Sequence, residues 1–217
     1  MVLQETLELL ISDQEAVLAG DLEEAIDHGI LVSKLAYLLA AEMDMEPSFC
    51  QIMAQAGLVH DIGKLKLGQF LYKRNDHTLT VEEMKYIRLH PSIGYEILKK
   101  YNYDKTLLES VYHHHENYDG TGYPENLKEQ DIPLGGRIIR ICDVYAALIS
   151  DRRYRAAFDK EMAVKLMIEE VKNFDMQIFL AFLRIVHSEE FIQVDEFVDH
   201  INKKIYSWRK ILHDGYY

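Results

Sequence analysis

Twelve consecutive residues, His113 to Pro124, read HHHENYDGTGYP and bring together three imidazoles, two carboxylates and a Gly-Tyr-Pro turn. Histidines that close together are costly to bury as bystanders, whereas a divalent cation uses their lone pairs and favours the neutral, ligating form. A metal centre is therefore the first chemistry to consider. A solvated polar loop would have the same composition, so the choice turns on whether the rest of the chain supplies matching ligands.

Several stretches do. Glu24 precedes His28 by one helical turn, so both side chains project from one side of a helix, although solvated faces often carry the same pair. Adjacent His60 and Asp61 close an apolar run; the imidazole can serve one ion while the carboxylate bridges to a second. Gly63 then frees the backbone to turn, and Lys64 brings a cation into the same neighbourhood. His90 directly precedes Pro91, where a helix must break or kink, so its ring is held by its neighbours. Asp143 sits in the apolar run PLGGRIIRICDVYAALIS, where a buried carboxylate needs a partner. Immediately afterwards, DRRYRAAF supplies Arg152, Arg153 and Arg155. Guanidinium groups so placed suit a phosphodiester or a purine edge, or equally a solvated basic turn at a helix C-terminus.

The elements that must position these groups are helical nearly throughout. Residues 2–18 carry Leu3, Leu7, Leu10 and Ile11 at helical spacing, which predicts an amphipathic lid or dimer contact. Helices are predicted from Asp21 to about Met43, from about Pro47 to His60, and from a Thr80/Glu83 capping box through Met84 and Ile87. Leu107 to Glu116 would deliver the three histidines at a helix C-terminal end. Adjacent helical residues diverge by about 100°, so neighbouring histidines flank a cluster more readily than they share one approach to an ion. Asn117 to Gln130 is a polar loop punctuated by Gly120, Gly122 and Pro124. A buried helix from Leu134 to Ser150 follows, then helices over Asp159 to Asn173, Asp175 to His187 and Val194 to His213, the last bringing Trp208 onto the core.

With 217 residues, 48% of them hydrophobic, the chain can bury one substantial core. Its apolar runs are too short to span a bilayer, and MVLQETLELL lacks the basic region and cleavage site of a secretory signal. The expectation is a soluble cytoplasmic protein whose Cys50 and Cys142 are reduced core thiols. A formal charge of −12 argues against general affinity for duplex nucleic acid or anionic membranes, yet leaves room for a small phosphate ligand.

Collected, the candidate ligands are Glu24, His28, His60, Asp61, His90, His114, His115 and Asp143. They exceed the needs of one ion and imply two or three. A mixed imidazole and carboxylate set suits Fe or Mn, with Ni or Zn admitted, better than Mg or Ca.

Order and spacing resemble the HD-GYP family, a branch of the HD-domain metal-dependent phosphohydrolases. The matching pieces are E-x-x-x-H at Glu24 and His28, H-D-I-G-K at His60 to Lys64, and L-H-P at Leu89 to Pro91. H-H-E-x-x-D-G-x-G-Y-P at His114 to Pro124 and R-I-I-x-x-x-D-V at Arg137 to Val144 follow, with DRRYR at Asp151 to Arg155 and Phe174-Asp175 corresponding as well. The resemblance implies an all-α HD-domain bundle over residues 20–186, with residues 1–19 an N-terminal extension and 187–217 a C-terminal extension packed on the core.

It also implies hydrolysis of a cyclic dinucleotide, chiefly cyclic di-GMP, to the linear dinucleotide or GMP through a hydroxide bridging two metals. All eight candidates become ligands, with Asp61 bridging and Glu24 marking members able to hold a third metal. Asp61 and Lys64 become the catalytic pair, with Lys64 or a metal-bound water expected to stabilise the departing ribose oxygen, and Lys64, Arg152 and Arg155 meet phosphate and substrate. Tyr123 belongs to the signature turn and joins the substrate contacts. The motif order leaves His113 an ordinary helix residue. Departures are Tyr145, Ala146, Ile149 and Arg153 where the family has Phe, Asp, Thr and Pro, and Leu67-Gly68-Gln69 where it has Ile-Pro-Asp, which predicts a more mobile substrate-side loop. Alternative readings are a phosphohydrolase for another nucleotide such as cyclic GMP-AMP, or a metal-bearing module that signals by binding a cyclic dinucleotide or a diguanylate cyclase-type partner.

Overall fold

The computed structural model describes residues 19–71, 81–151 and 155–214, and side chains over 22–67, 84–151 and 155–203. The expected helix over residues 2–18, Thr80 of the capping box, Arg152, Arg153 and the Trp208 side chain lie outside the described residues. Within them the helices are α1 (Ala19–Glu42), α2 (Pro47–Val59), α3 (Ile62–Leu71), α4 (Val81–Ile87) and α5 (His90–Lys100). Then come α6 (Lys105–His113), α7 (Leu134–Ile149), α8 (Lys160–Glu169), α9 (Met176–Val186) and α10 (Ile192–Asp214), with short 3-10 turns between. The described residues contain no strand, so the all-α expectation holds.

Periodicity explains the packing. Leu31, Leu35 and Leu39 of α1 recur every four residues and are fully buried, as are Met53 of α2 and Leu107 and Val111 of α6. α1 runs along α2, α7, α9 and α10, while α5 packs on α3 and α6. α7 crosses the centre with Ile138, Ile139, Ile141 and Cys142 fully buried. Tyr145 meets Phe182 of α9 at 4.9 Å between ring centroids, an edge-to-face pair that ties the C-terminal helices to the core. Arg137 reaches Asp175 at 2.6 Å, and Asp175 also caps α9 by accepting from the Gln177 and Ile178 amides. No helix among the described residues is long and apolar enough to cross a membrane.

Two sequence expectations change. Gly63 does not turn the chain but lies in the first turn of α3. Leu67-Gly68-Gln69 is not a loop, because α3 continues to Leu71. The segment IGKLKLGQFL is rich in helix formers and lacks the proline that would stop it, and one glycine costs only about 1 kcal/mol.

Candidate metal centre

Three helices deliver their C-terminal ends to one place. His60 and His114 are the residues that follow α2 and α6, and His90 lies three residues past the end of α4. The last carbonyls of a helix have no partner within it. Each of these rings takes one of them: His60 Nδ1 donates to Gly57 O at 2.7 Å, His90 Nδ1 to Ile87 O at 2.7 Å, and His114 Nδ1 to Val111 O at 2.6 Å. Those bonds fix the tautomer and aim Nε2 away from the helix, as in histidines built to ligate. The partial negative charge of three helix C-termini adds a field that favours a cation. The ring of His114 also explains why α6 stops at His113, short of the expected Glu116, since it competes for the carbonyl the next turn would use.

Seven of the eight predicted ligands fall into two groups, Asp61 with His90, His114 and His115, and His28 with His60 and Asp143. Within each group the donor atoms lie within 4.8 Å of one another. Asp61 stands between the groups. Its Oδ1 faces His90 Nε2 at 3.2 Å and His114 Nε2 at 3.8 Å, and its Oδ2 faces His60 Nε2 at 3.4 Å. Asp143 Oδ1 meets His28 Nε2 at 3.0 Å and His60 Nε2 at 3.6 Å. Glu24 is half-buried one turn before His28 on α1 and belongs to neither group.

The donor set fits divalent first-row ions on an internal test. His90 Nε2 and His114 Nε2 are 3.1 Å apart, and both rings have committed Nδ1 as donor. Two lone pairs then face each other in a fully buried place. Something positive must relieve them. Burial, with the imidazoles of His115, His60 and His90 close by, holds His114 well below the ordinary histidine range, so a proton is a poor solution there. Asp61 Oδ1 and His60 Nε2 are likewise buried without a hydrogen-bond partner, as a ligand position requires.

The electrostatics divide the two groups. Burial acts against charge on His60, but the Asp61 and Asp143 carboxylates outweigh it and push its pKa up to about 10. Burial lowers His115 to about 3, with His90 and Lys64 opposing the pull of Asp143 and Asp61. Burial works against both carboxylates, yet Lys64 and His60 hold Asp61, and His28 and His60 hold Asp143, well below the usual carboxylate range. Lys64 Nζ donates to Asp61 Oδ2 at 2.6 Å.

Gly63 earns its place by close approach. A Cβ on it would lie 2.0 Å from the His90 carbonyl oxygen, so only glycine lets α3 pack against the start of α5. The loop after α6 is closed in the same way at Gly122, where a Cβ would fall 2.2 Å from the Asn117 amide nitrogen and 2.5 Å from His115 O. Around it, Thr121 donates from N and Oγ1 to Asp119, and Glu116 Oε1 accepts from the Glu125 amide at 2.7 Å. Tyr123 stacks on His115 with ring centroids 4.8 Å apart and planes at 24°. His113 points elsewhere: it is buried, donates from Nδ1 to Glu109 O at 2.9 Å and meets Glu125 at 3.2 Å through Nε2.

Arg155 has a role the sequence did not indicate. Its guanidinium donates to Ala147 O at 2.6 Å and Leu148 O at 3.2 Å, capping the C-terminus of α7, and lies over the Phe158 ring. Sequence reasoning also passed over Arg88 and Arg140, neither of which occupies a motif position. The anchoring carbonyls were findable, since each stands three residues before its histidine at a helix end.

A protein-family model described as the HD domain matches residues 5–178. The chain belongs to the HD-domain family, as an HD-GYP protein. Among its curated relatives is the cyclic di-GMP phosphodiesterase PA4108 of Pseudomonas aeruginosa, 35% identical over 160 residues, which are 73% of this chain and 38% of that one. Another is the 3'3'-cGAMP-specific phosphodiesterase 3 of Vibrio cholerae, 32% identical over 144 residues, 66% of this chain and 31% of that one. The chain thus spans less than half the length of either relative. The solved structure of Bd1817, an HDG"Y"P protein from Bdellovibrio bacteriovorus, shares the fold with a TM-score of 0.61 at 23% identity, covering 76% of this chain and 53% of that one.

Proposed function

We propose that this chain is a metal-dependent phosphodiesterase that hydrolyses a cyclic dinucleotide, cyclic di-GMP first, to the linear dinucleotide or GMP. The observation that carries the reading is the facing pair of His90 and His114 Nε2 atoms beside the unpartnered Asp61 Oδ1, an arrangement that requires a cation. Relatives of the same family named for cyclic di-GMP and 3'3'-cGAMP supply the substrate class.

His90, His114, His115 and Asp61 would hold one ion and His28, His60 and Asp143 a second, with Asp61 bridging and Glu24 available to a third; iron or manganese suits these donors best. When bound, such ions polarise phosphoryl oxygens and lower the pKa of water. The chain's own residues do the rest. The Nδ1 bonds keep the rings from turning, which holds the donors in place before substrate arrives. Lys64, beside Asp61 and partly exposed, can move its ammonium to the departing ribose oxygen. Tyr123, packed on His115, forms a wall against which a base or sugar can rest. A cytoplasmic setting goes with buried, free Cys50 and Cys142, and the loop over Asp119 to Pro124 is the surface we assign to a diguanylate cyclase-type partner.

Metal-analysed protein kept under reducing conditions and given a panel of cyclic dinucleotides tests this. Linear product from cyclic di-GMP is expected. Faster turnover of cyclic GMP-AMP would shift the substrate, and tight binding without turnover would make the chain a signalling module. Ala146 is the feature that favours that last outcome, because it places a fully buried methyl group one turn after Asp143 where the family has a carboxylate.

A further inference from the structure

Two guanidinium groups from different elements are held at the loop that carries Tyr123. Arg88 is exposed between α4 and α5, and its Cζ lies 5.2 Å from the centroid of the Tyr123 ring. Arg140 is half-buried on α7, one turn before Asp143. Its Nε donates to Asn117 Oδ1 at 3.1 Å, the only hydrogen bond of that guanidinium among the described residues, which leaves the terminal nitrogens uncommitted. Both groups act electrostatically on the Tyr123 phenol, and so do Asp61 and Asp143. Arg88 is two residues before His90, Arg140 is one turn before Asp143, and Asn117, which Arg140 holds, belongs to the loop that carries Tyr123.

Guanidinium groups with uncommitted terminal nitrogens match phosphate oxygens in geometry and charge. On the reading above, the metal ligands serve the phosphate being cleaved. A cyclic dinucleotide carries a second phosphate, which in a chain of net charge −12 needs its own cations. We propose that Arg88 and Arg140, together with Tyr123, form a subsite for the phosphate that is not being cleaved and so select two-phosphate rings over one-phosphate esters. This rests on the cyclic-dinucleotide reading above.

The test compares cyclic di-GMP with bis(p-nitrophenyl) phosphate, a one-phosphate ester, in the metal-loaded protein and in Arg88→Gln, Arg140→Gln, Arg140→Lys and the double glutamine variant. Each glutamine variant should raise KM for cyclic di-GMP about 10-fold, as expected for a lost charge-assisted hydrogen bond, with kcat held within about twofold. The preference for cyclic di-GMP over the ester should fall by the same factor, and lysine should restore part of it. Calorimetric binding of cyclic di-GMP should weaken in parallel. Unchanged KM, or equal losses on both substrates together with loss of metal, would overturn the subsite. Arg88 is exposed, so Arg88→Gln decides the matter even if Arg140→Gln disturbs the loop through Asn117. A wild-type protein that neither binds nor cleaves any cyclic dinucleotide would remove the substrate reading and the subsite together; an active wild type with indifferent variants would remove the subsite alone.

Discussion

The ligand groups and the loop that faces them are built by opposite means. His60, His90 and His114 are fully buried at helix ends and anchored by the carbonyls of their own helices. The loop from Asn117 to Pro133 is held by short polar bonds, some among its own residues and others to Glu116, Arg140 and Asn173, and much of it is half-buried or exposed. The first region is fixed by packing and the second by a few hydrogen bonds. Metal affinity and substrate handling should therefore be separable by mutation.

Gly63→Ala strikes the packed region. Its Cβ would collide with the His90 carbonyl, so α3 or His90 must shift. Metal affinity should fall by roughly 10- to 100-fold, as for other changes that misorient a ligand, with a loss of about 1–3 kcal/mol in folding stability. Metal titration and denaturant unfolding check the two effects. Tyr123→Ala strikes the loop side and should lower turnover about 10-fold through lost stacking contact while metal content stays that of the wild type. Loss of metal in Tyr123→Ala would collapse the division between the regions. Gly122→Ala cannot serve as the loop variant, because its Cβ would press on His115 O and carry the damage into the ligand groups.

Within the ligand region, the two groups differ from one another in their response to pH. His60, held near pKa 10 by Asp61 and Asp143, carries a proton at neutral pH when no ion is bound, whereas His115, near 3, carries none. Its folded value is raised above the ordinary 6.5, so its contribution to the stability of the metal-free fold is complete below pH 6.5 and is lost as pH rises through about 10. Ligation needs the neutral ring, so metal loading should release one proton and affinity should rise about tenfold per pH unit across that window. Calorimetry in buffers of different ionisation enthalpy measures the release, and an affinity flat with pH would contradict it. The smallest effect is expected at Arg155→Ala, where two bonds to the end of α7 are lost: about 1–2 kcal/mol of stability by denaturant unfolding, with KM unchanged. A raised KM at full stability would instead make Arg155 the phosphate contact that the HD-GYP motif implies.

What was legible in the sequence follows the same line. Helical periodicity placed α1, α2, α7 and α9 to within a few residues, and residue type with motif order brought out seven residues that the fold gathers into two groups. Those features depend on local spacing. Gly63 was misread because a close approach to His90 is set by a tertiary contact, and a glycine in sequence signals a turn just as well. The Leu67-Gly68-Gln69 helix was missed because a glycine at a family loop position outweighed the absence of proline. The capping of α7 by Arg155 was not legible because the orphan carbonyls at Ala147 and Leu148 are visible only once α7 has ended. Arg88 and Arg140 reach the loop of Asn117 and Tyr123 from separate elements, and no spacing rule joins them.

The most direct test is a count of metal ions in protein purified under reducing conditions, wild type beside Asp61→Ala. Asp61 faces both groups, so the wild type should hold two or three first-row ions per chain and the variant at most one, with phosphodiesterase activity falling on the order of 10³-fold. A wild-type chain that binds no divalent ion in stoichiometric amount would contradict the account, because the facing His90 and His114 nitrogens would then need another explanation.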